Sequence, residues 1–421
     1  MNRLQVIYNG WGEHWPLGTL AENAGGVILF EYSPEALHQK LELSPLHLGL
    51  RAAAYPGERQ PFDGLPGLIA DALPDGWGML LMDRALRKMG RDPATLSPLD
   101  RLALIGERAM GALSFEPAQG KTLTAHDINL LDLAQQIDRL TAGASRAVLS
   151  ELILLGGSPH GARPKALVDF DPASGQMEAG AETGGYADDP RRSKTEPWLI
   201  KFPARGEHPE ACAIEEWYAR LARACKIEMP PSRYFPLSRT LAAFGVKRFD
   251  REGARRVPLH TLAGAVHADY RIPSLDAIDF LRLTQRMSLD VREVQAAFDR
   301  CVFNLVFNNR DDHAKNFSYR LDHERRWRLS PAYDLTFNDG PRGHHQLGYA
   351  GETRAPALIH LLKVAEGGGV PRMAALASIK RITAVAARCQ RYVKELPVRK
   401  ATQKHIMQTI AANAARLTQR G

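Results

Sequence analysis

Two aspartates, a histidine, a lysine and an asparagine fall within the six positions from Asp311 to Asn316, inside the stretch NNRDDHAKNFSY at 308–319. The apolar run CVFNLVF lies just ahead of it. Charged groups beside a core are costly unless paired or bound to an ion. The stretch is therefore either a polar loop that follows a helix or a built site.

Asp311 and Asn316 stand five positions apart, the separation of the base and the metal-binding asparagine in the protein-kinase pattern HRDxxxxN. In that chemistry one carboxylate takes the proton of an acceptor hydroxyl, while the asparagine oxygen and a second aspartate hold Mg²⁺ against phosphates. Asp334, after the strand-like WRLS, comes in the right order to be the second aspartate. Its ordinary alternative is a turn or helix-capping residue. Upstream, Gly156, Gly157 and Gly161 flank Ser158 between two strand-like runs. Glycines let backbone amides approach an anion closely, although GxxxxGK[ST] is absent and a plain hairpin has the same composition. Lys201 stands within the apolar strand WLIKFP. If its face is covered, its ammonium needs a carboxylate or a phosphate, and Glu215 and Glu216 on the helical IEEWYARLA are candidates. Each signal alone has a bland reading, but their order along the chain is that of a two-lobed kinase.

The elements that must carry these groups are legible from periodicity. Residues 1–33 alternate as short strands, with Asn-Ala-Gly-Gly as a hairpin turn. The tract 62–90 turns helical, with a break at Asp75-Gly76. GERAMGALSFEP at 106–117 is expected to return to strand, and the loop at 118–126 marks a first boundary. A helix around 126–140 and a strand-like LILL lead into GGSPHGARPKALVDF at 156–170. Residues 171–196 are poor in large apolar side chains and read as an insertion between neighbouring strands. A helix from about Pro209 to Lys226, a strand pair ending in FGVKRFDR and a chiefly helical remainder from 273 complete the chain.

A chain of 421 residues is long enough for two or three domains. Its 44% hydrophobic and 24% charged residues are those of an ordinary globular protein. No apolar run approaches the ~18 residues of a membrane span, and the start MNRLQVIYNGWGEHW is interrupted too early for a signal peptide. A cytoplasmic location is expected. Cys212, Cys225, Cys301 and Cys389 are widely separated and read as buried thiols rather than a metal or disulfide framework. A formal charge of +8 with a pI near 9.3 leaves room for an anionic partner but has no bearing on fold.

At this point the chain resembles the HipA family of kinase toxins from bacterial toxin–antitoxin modules. The resemblance runs over nearly the whole length, through GTL…GGVILFEYSPEAL, ALPDGWG, GGSPHGARPKALV, WLIKFP, VKRFDR, DDHAKNFSY and LSPAYDL. It implies an α+β, bilobal protein-kinase-like fold: an amino-terminal subdomain over 1–120, a kinase N-lobe over 121–250 and a helical C-lobe over 251–421. It implies ATP and Mg²⁺ as cofactors, Asp311 as the catalytic aspartate, Asn316 and Asp334 on Mg²⁺, and Lys201 on the ATP phosphates. His313 would brace the loop and Lys315 would face the transferred phosphate. The loop from Gly157 through Ser158, Gly161 and Ala162 to Lys165 would cover the nucleotide, and Ser158 holds the place of an autophosphorylated serine that switches the kinase off. Val246–Asp250 resembles the adenine-reading connector, with Phe249 against the ring and Asp250 beside it. Lys247 departs from the commoner Glu-Arg-Phe there, and Asp312 replaces a glycine of some members, either adding charge near the metal or capping the turn.

The resemblance further implies a HipB-like, Xre-type helix-turn-helix antitoxin as partner, operator DNA reached through it, and an aminoacyl-tRNA synthetase as substrate. Two other classes are weighed against this one. In one, a catalytically weak chain serves as the antitoxin's co-repressor. In the other, Asp311, Asp312, His313, His344 and His345 form a metal-dependent hydrolase, which leaves Lys201 and the glycine turn without roles.

Overall fold

A computed structural model describes residues 1–119, 129–141, 161–179 and 194–418. The chain divides into two compact units, one of Met1–Cys212 with Ser232–His260 and the other of Ala213–Pro231 with Thr261–Gly421. The helix Ala211–Ala224 begins in the first unit and continues into the second.

Besides a short ribbon pairing Arg251–Glu252 with Arg255–Arg256, the first unit carries two five-stranded antiparallel sheets. In one, β1 (Arg3–Tyr8), β2 (Trp15–Glu22), β3 (Ile28–Tyr32), β4 (Ala54–Pro56) and β5 (Leu113–Glu116) lie in the order β4-β3-β2-β1-β5. The expected hairpin joins β2 and β3, and its turn is closed by Asn23, whose side-chain oxygen accepts from the amides of Gly25 and Val27 at 2.9 and 3.0 Å. The helical tract after residue 62 breaks where expected: the helix Gly67–Ala70 stops and a second, Gly76–Lys88, begins after Asp75. GERAM differs from expectation. Gly106–Arg108 form a 3₁₀ turn that continues the helix Pro98–Ile105, and only Leu113–Glu116 form strand. Arg256 accounts for this turn, because it donates to the carbonyls of Glu107, Ala109, Gly111 and Leu113 at 2.7–2.9 Å and curls that backbone around one guanidinium.

The second sheet contains β6 (Lys165–Phe170), β7 (Met177–Ala179), β8 (Glu196–Lys201), β9 (Ser232–Pro236) and β10 (Ala242–Lys247), ordered β7-β6-β8-β10-β9. One face buries Ala166, Val168, Phe170, Trp198, Ile200 and Phe202 against Trp77 and Leu81 of the preceding helix. Burying each such side chain contributes about 1.5–3 kcal/mol, so the ALPDGWG segment is packed into this sheet rather than laid over it.

The second unit is mainly helical. Its central helix, Val291–Val306, starts at an Asp290 cap that accepts from the Arg292 amide at 2.9 Å, and buries Phe298, Cys301, Val302 and Phe303. Tyr218 packs edge-on against Phe303 and Phe307, and its hydroxyl donates to the Phe307 carbonyl at 2.5 Å. That contact ends the helix at the crowded turn. All four cysteines are buried and unbridged, and among the described residues no helix is long and apolar enough to cross a membrane.

Candidate functional site

The turn after Phe307 is held before any chemistry is asked of it. Asn308 sits at φ +55°, a conformation asparagine tolerates better than most residues. Its side chain donates to Asp339 at 3.0 Å and accepts from Arg310 at 2.9 Å and from Asn413 of the C-terminal helix Lys400–Thr418 at 3.4 Å. Asn309 donates to Asn304 at 2.9 Å. These amides fix the chain path that presents Asp311.

Asp311 is partly exposed, whereas its neighbour Asp312 is fully buried. Desolvation, with Asp334 and Asp312 adding like charge, pushes the Asp311 carboxyl above the ordinary range; His313 and a 3.2 Å bond from the Gln346 amide work against this. His313 places Nε2 3.8 Å from Asp311 Oδ1, and its ring lies 5.4 Å from that of Tyr270. Lys315 holds Nζ 4.5 Å over the centroid of Tyr270, while its carbonyl accepts from the Tyr333 hydroxyl at 2.7 Å. Asn316 donates through Nδ2 to the Asp311 carbonyl at 2.6 Å, which reserves its Oδ1 as an acceptor. Asp334 takes φ +53°, a strained conformation outside glycine. The structure thus gathers Asp311, His313, Lys315, Asn316 and Asp334 in one unit, around a base-like carboxyl and two further oxygen donors.

Asp312 takes the capping alternative. Its carboxylate accepts from His345 Nδ1 at 2.8 Å, the amides of Gln346 and Leu347 at 2.8 and 3.3 Å, and the Tyr349 hydroxyl at 2.7 Å. His345 is therefore committed to Asp312. Among the described residues no group of three or more His, Cys, Asp or Glu side chains is arranged to hold a metal. Mg²⁺ ordinarily uses one or two carboxylates and completes its shell with phosphate oxygens and water, so the Asp334 and Asn316 oxygens suit it while a preformed cage for Zn²⁺ is missing from that region.

In the first unit Lys201 and Lys165 are both buried and are direct partners in the β6–β8 register, so their side chains share one face. Like charges placed opposite each other destabilise a sheet unless an anion lies between them. Lys201 Nζ lies 5.8 Å from the Phe244 ring. Gly161 and Ala162 lead into β6, with Gly161 at φ +100° and close to the Lys165 ammonium. Gly157 and Ser158 lie outside the described residues. The structure adds what the sequence reading missed: the Gly161 amide donates to Asp75, the Trp77 amide donates to the Gly161 carbonyl at 3.1 Å, and Trp77 Nε1 donates to the Lys165 carbonyl at 3.2 Å. The amino-terminal ALPDGWG motif holds the end of the glycine loop. Nothing local in that motif signals a partner 86 residues away.

The connector residues divide. Phe249 is half-buried and Lys247 pairs with Glu196 at 2.7 Å. Asp250, expected beside a nucleotide, is buried and consumed internally: Arg248 donates to both its oxygens at 2.9 Å, and Arg251 and the Gly111 amide donate to Oδ2 at 2.7 and 3.0 Å. Burial alone would raise this carboxyl, but the two guanidiniums outweigh it and hold it far below the ordinary carboxylate range. Asp250 is a structural anchor here. Glu216, expected as a partner for Lys201, is paired with Arg220 at 2.9 Å and Arg223 at 3.6 Å, and Glu215 is buried on the same helix.

One further constellation has the geometry of a nucleophile, a base and an orienting carboxylate. His260 lies 3.0 Å from Ser44 Oγ through Nε2 and 2.7 Å from Asp71 through Nδ1. His260 is 0% and Ser44 1% exposed. A substrate carbonyl cannot reach Ser44, so the three side chains brace the first unit.

With the fold and these sites described, comparison with known proteins decides the family. The HipA N-terminal domain matches residues 4–116, and the HipA-like C-terminal domain matches residues 157–395. The chain belongs to the HipA family. Among solved structures it is similar to the HipA of Shewanella oneidensis MR-1, determined in a toxin–antitoxin complex of HipA, HipB and operator DNA, with a TM-score of 0.71, 17% identity, and coverage of 98% of this chain and 97% of that one. At this identity the likeness shows the fold, which is the α+β kinase-like fold expected for HipA proteins. Among curated proteins it is 28% identical to "Putative kinase Y4mE" of Sinorhizobium fredii over 363 residues, covering 78% of this chain and 76% of the relative.

Proposed function

We propose that this HipA-family chain is an ATP- and Mg²⁺-dependent serine/threonine protein kinase and the toxin of a toxin–antitoxin pair. The observation that carries the proposal is the turn that gathers Asp311, Asn316 and Asp334, with the Asp311 carboxyl raised above its ordinary range. A carboxyl moved toward neutrality accepts a hydroxyl proton more readily than an ordinary aspartate, provided it remains ionised at working pH. Asp311 takes that proton, Asn316 Oδ1 and Asp334 hold Mg²⁺, and the paired lysines Lys165 and Lys201 bind phosphate oxygens. Bound Mg²⁺ would neutralise charge on the phosphates. The loop of Gly157, Ser158, Gly161 and Ala162 is proposed to cover the nucleotide, with its end anchored by the Gly161–Asp75 bond, and Phe249 to pack against the base. Ser158 is the proposed site of self-phosphorylation.

The partner is a HipB-like, Xre-type antitoxin, with operator DNA bound through it, and the protein substrate is an aminoacyl-tRNA synthetase in the cytoplasm. The fold match to a HipA solved with HipB and DNA supports the partner. The test is intact and peptide mass spectrometry of dephosphorylated protein after incubation with ATP and Mg²⁺, beside Asp311→Asn. One phosphate on Ser158 in the parent and none in the variant is expected. Equal incorporation in both would refute the role of Asp311, and tight ATP binding with no transfer in either would make the chain a co-repressor instead.

A further inference from the structure

We propose that Asp312 is a positioning residue: it pins the segment His345–Tyr349 to the turn so that Gln346 stays on Asp311, an arrangement that makes a phosphate on this segment unnecessary. The inference rests on the kinase reading for its catalytic consequence, whereas the pin itself is a property of the second unit alone.

Kinases that order the segment after their metal-binding aspartate by phosphorylation use the new negative charge to gather donors. Here the donors gather on a carboxylate already in the chain. Four of them meet on Asp312, from His345, Gln346, Leu347 and Tyr349, at 2.7–3.3 Å. Asp312, His345 and Tyr349 are buried, at 1%, 2% and 0% exposure, so these bonds are shielded from water. Burial and the neighbouring carboxylate hold the Tyr349 hydroxyl protonated, as a donor. The sequence agrees with this division of labour: between Thr336 and Tyr349, FNDGPRGHHQLG contains no serine, threonine or tyrosine, and the Tyr349 hydroxyl itself donates to Asp312.

The pin has supports on both sides. Asn338 exchanges backbone bonds with Asn308 and Arg310 at 3.0 and 3.2 Å, and Arg310 donates to the Gly343 carbonyl. Beyond it, Gly348 bonds to Leu275 and Ala277 at 2.9 and 2.7 Å, and Asp276 accepts from the Ala350 and Gly351 amides at 3.2 and 2.9 Å. Gln346 reaches from this framework to the proposed base, through a 3.2 Å bond from Nε2 to Asp311 Oδ1. That bond orients the carboxylate whose other oxygen must meet the acceptor hydroxyl.

The test uses the full-length chain with two readouts. Hydrogen exchange of the amides of 345–349 is independent of activity. Self-phosphorylation under single-turnover conditions yields a rate at saturating ATP and the ATP concentration for half that rate. Asp312→Ala, which removes the Oδ1 acceptor of the Gln346 and Leu347 amides, is expected to speed exchange of those amides at least about tenfold and to lower the saturating rate about 100-fold, as a misplacement of order 1 Å does, with the half-saturating ATP concentration within about twofold. Gln346→Ala, which leaves all four bonds to Asp312 available, is expected to leave exchange unchanged and lower the saturating rate. Unchanged exchange in Asp312→Ala overturns the pin, and an unchanged rate in Gln346→Ala overturns the orienting role. A parent that incorporates no phosphate refutes the kinase reading, and the exchange measurement then decides the pin by itself.

Discussion

Replacing Gly76 by alanine tests whether the amino-terminal motif holds the glycine loop as described. Gly76 has φ +39°, and a Cβ there would stand 2.7 Å from Ala162 Cα, 2.8 Å from the Gly161 oxygen and 2.9 Å from the Ala162 nitrogen. All three are backbone atoms that cannot swing aside as a side-chain tip would. To make room, residues 161–162 must retreat, which breaks the Trp77–Gly161 bond and the charge-assisted bond from the Gly161 amide to Asp75. Losing an ordinary bond costs about 1 kcal/mol and a charge-assisted one about 1.5–3 kcal/mol. A non-glycine residue at positive φ adds roughly 1–2 kcal/mol, giving about 4–6 kcal/mol in all if the terms are simply summed. Gly90→Ala isolates the last contribution, because Gly90 also has positive φ, +74°, but nothing lies within 4 Å of its Cβ position. Urea denaturation of both variants beside the parent should show Gly90→Ala destabilised by about 1–2 kcal/mol and Gly76→Ala by several more, with weaker ATP binding only in the latter. Equal shifts in the two variants would refute the contact as described.

Four other outcomes follow from the same physics. Asp250→Asn leaves Arg248 and Arg251 buried without their counter-charge, and the expected loss is about 3–5 kcal/mol in a denaturation experiment; a loss under 1 kcal/mol would refute the anchoring role. Because the folded Asp250 carboxyl is held below its unfolded value, its contribution is present above about pH 4 and disappears as pH falls through the folded value, so the parent should lose more stability than Asp250→Asn on acidification below that point. Leu289 ends the helix Ala277–Ser288 at φ +54° with 82% of its surface exposed; Leu289→Gly should stabilise the chain by up to about 1 kcal/mol, and a lower melting temperature would contradict this. A fluorophosphonate probe should leave Ser44 unlabelled in the folded protein, as read by peptide mass spectrometry, since labelling would mean that the Ser44–His260–Asp71 group opens to solvent.

What lay within one turn or one strand was legible in the sequence. The Asn23 hairpin, the break at Asp75-Gly76 and the clustering of Asp311, His313, Lys315 and Asn316 all depend on neighbours a few residues away, where backbone geometry leaves little choice. Asp334 was found from chain order, because a second oxygen donor must follow the base. Tertiary structure decided the rest. The tract 106–117 was expected to return to strand as a whole, but Arg256, about 150 residues on, curls its first residues into a 3₁₀ turn. Asp250 had the place of a nucleotide contact, but Arg248, Arg251 and the Gly111 amide claim its charge. Asp312 could cap the turn or serve a metal, and its four donors, 33–37 residues further on, selected the cap. Lys201 was expected on the phosphates and Lys165 at the end of the loop over the nucleotide, yet only strand register sets them side by side. A sequence shows that a buried charge needs a partner, since desolvation makes the unpaired state costly. Which distant group provides it depends on what the packed chain brings within 3 Å.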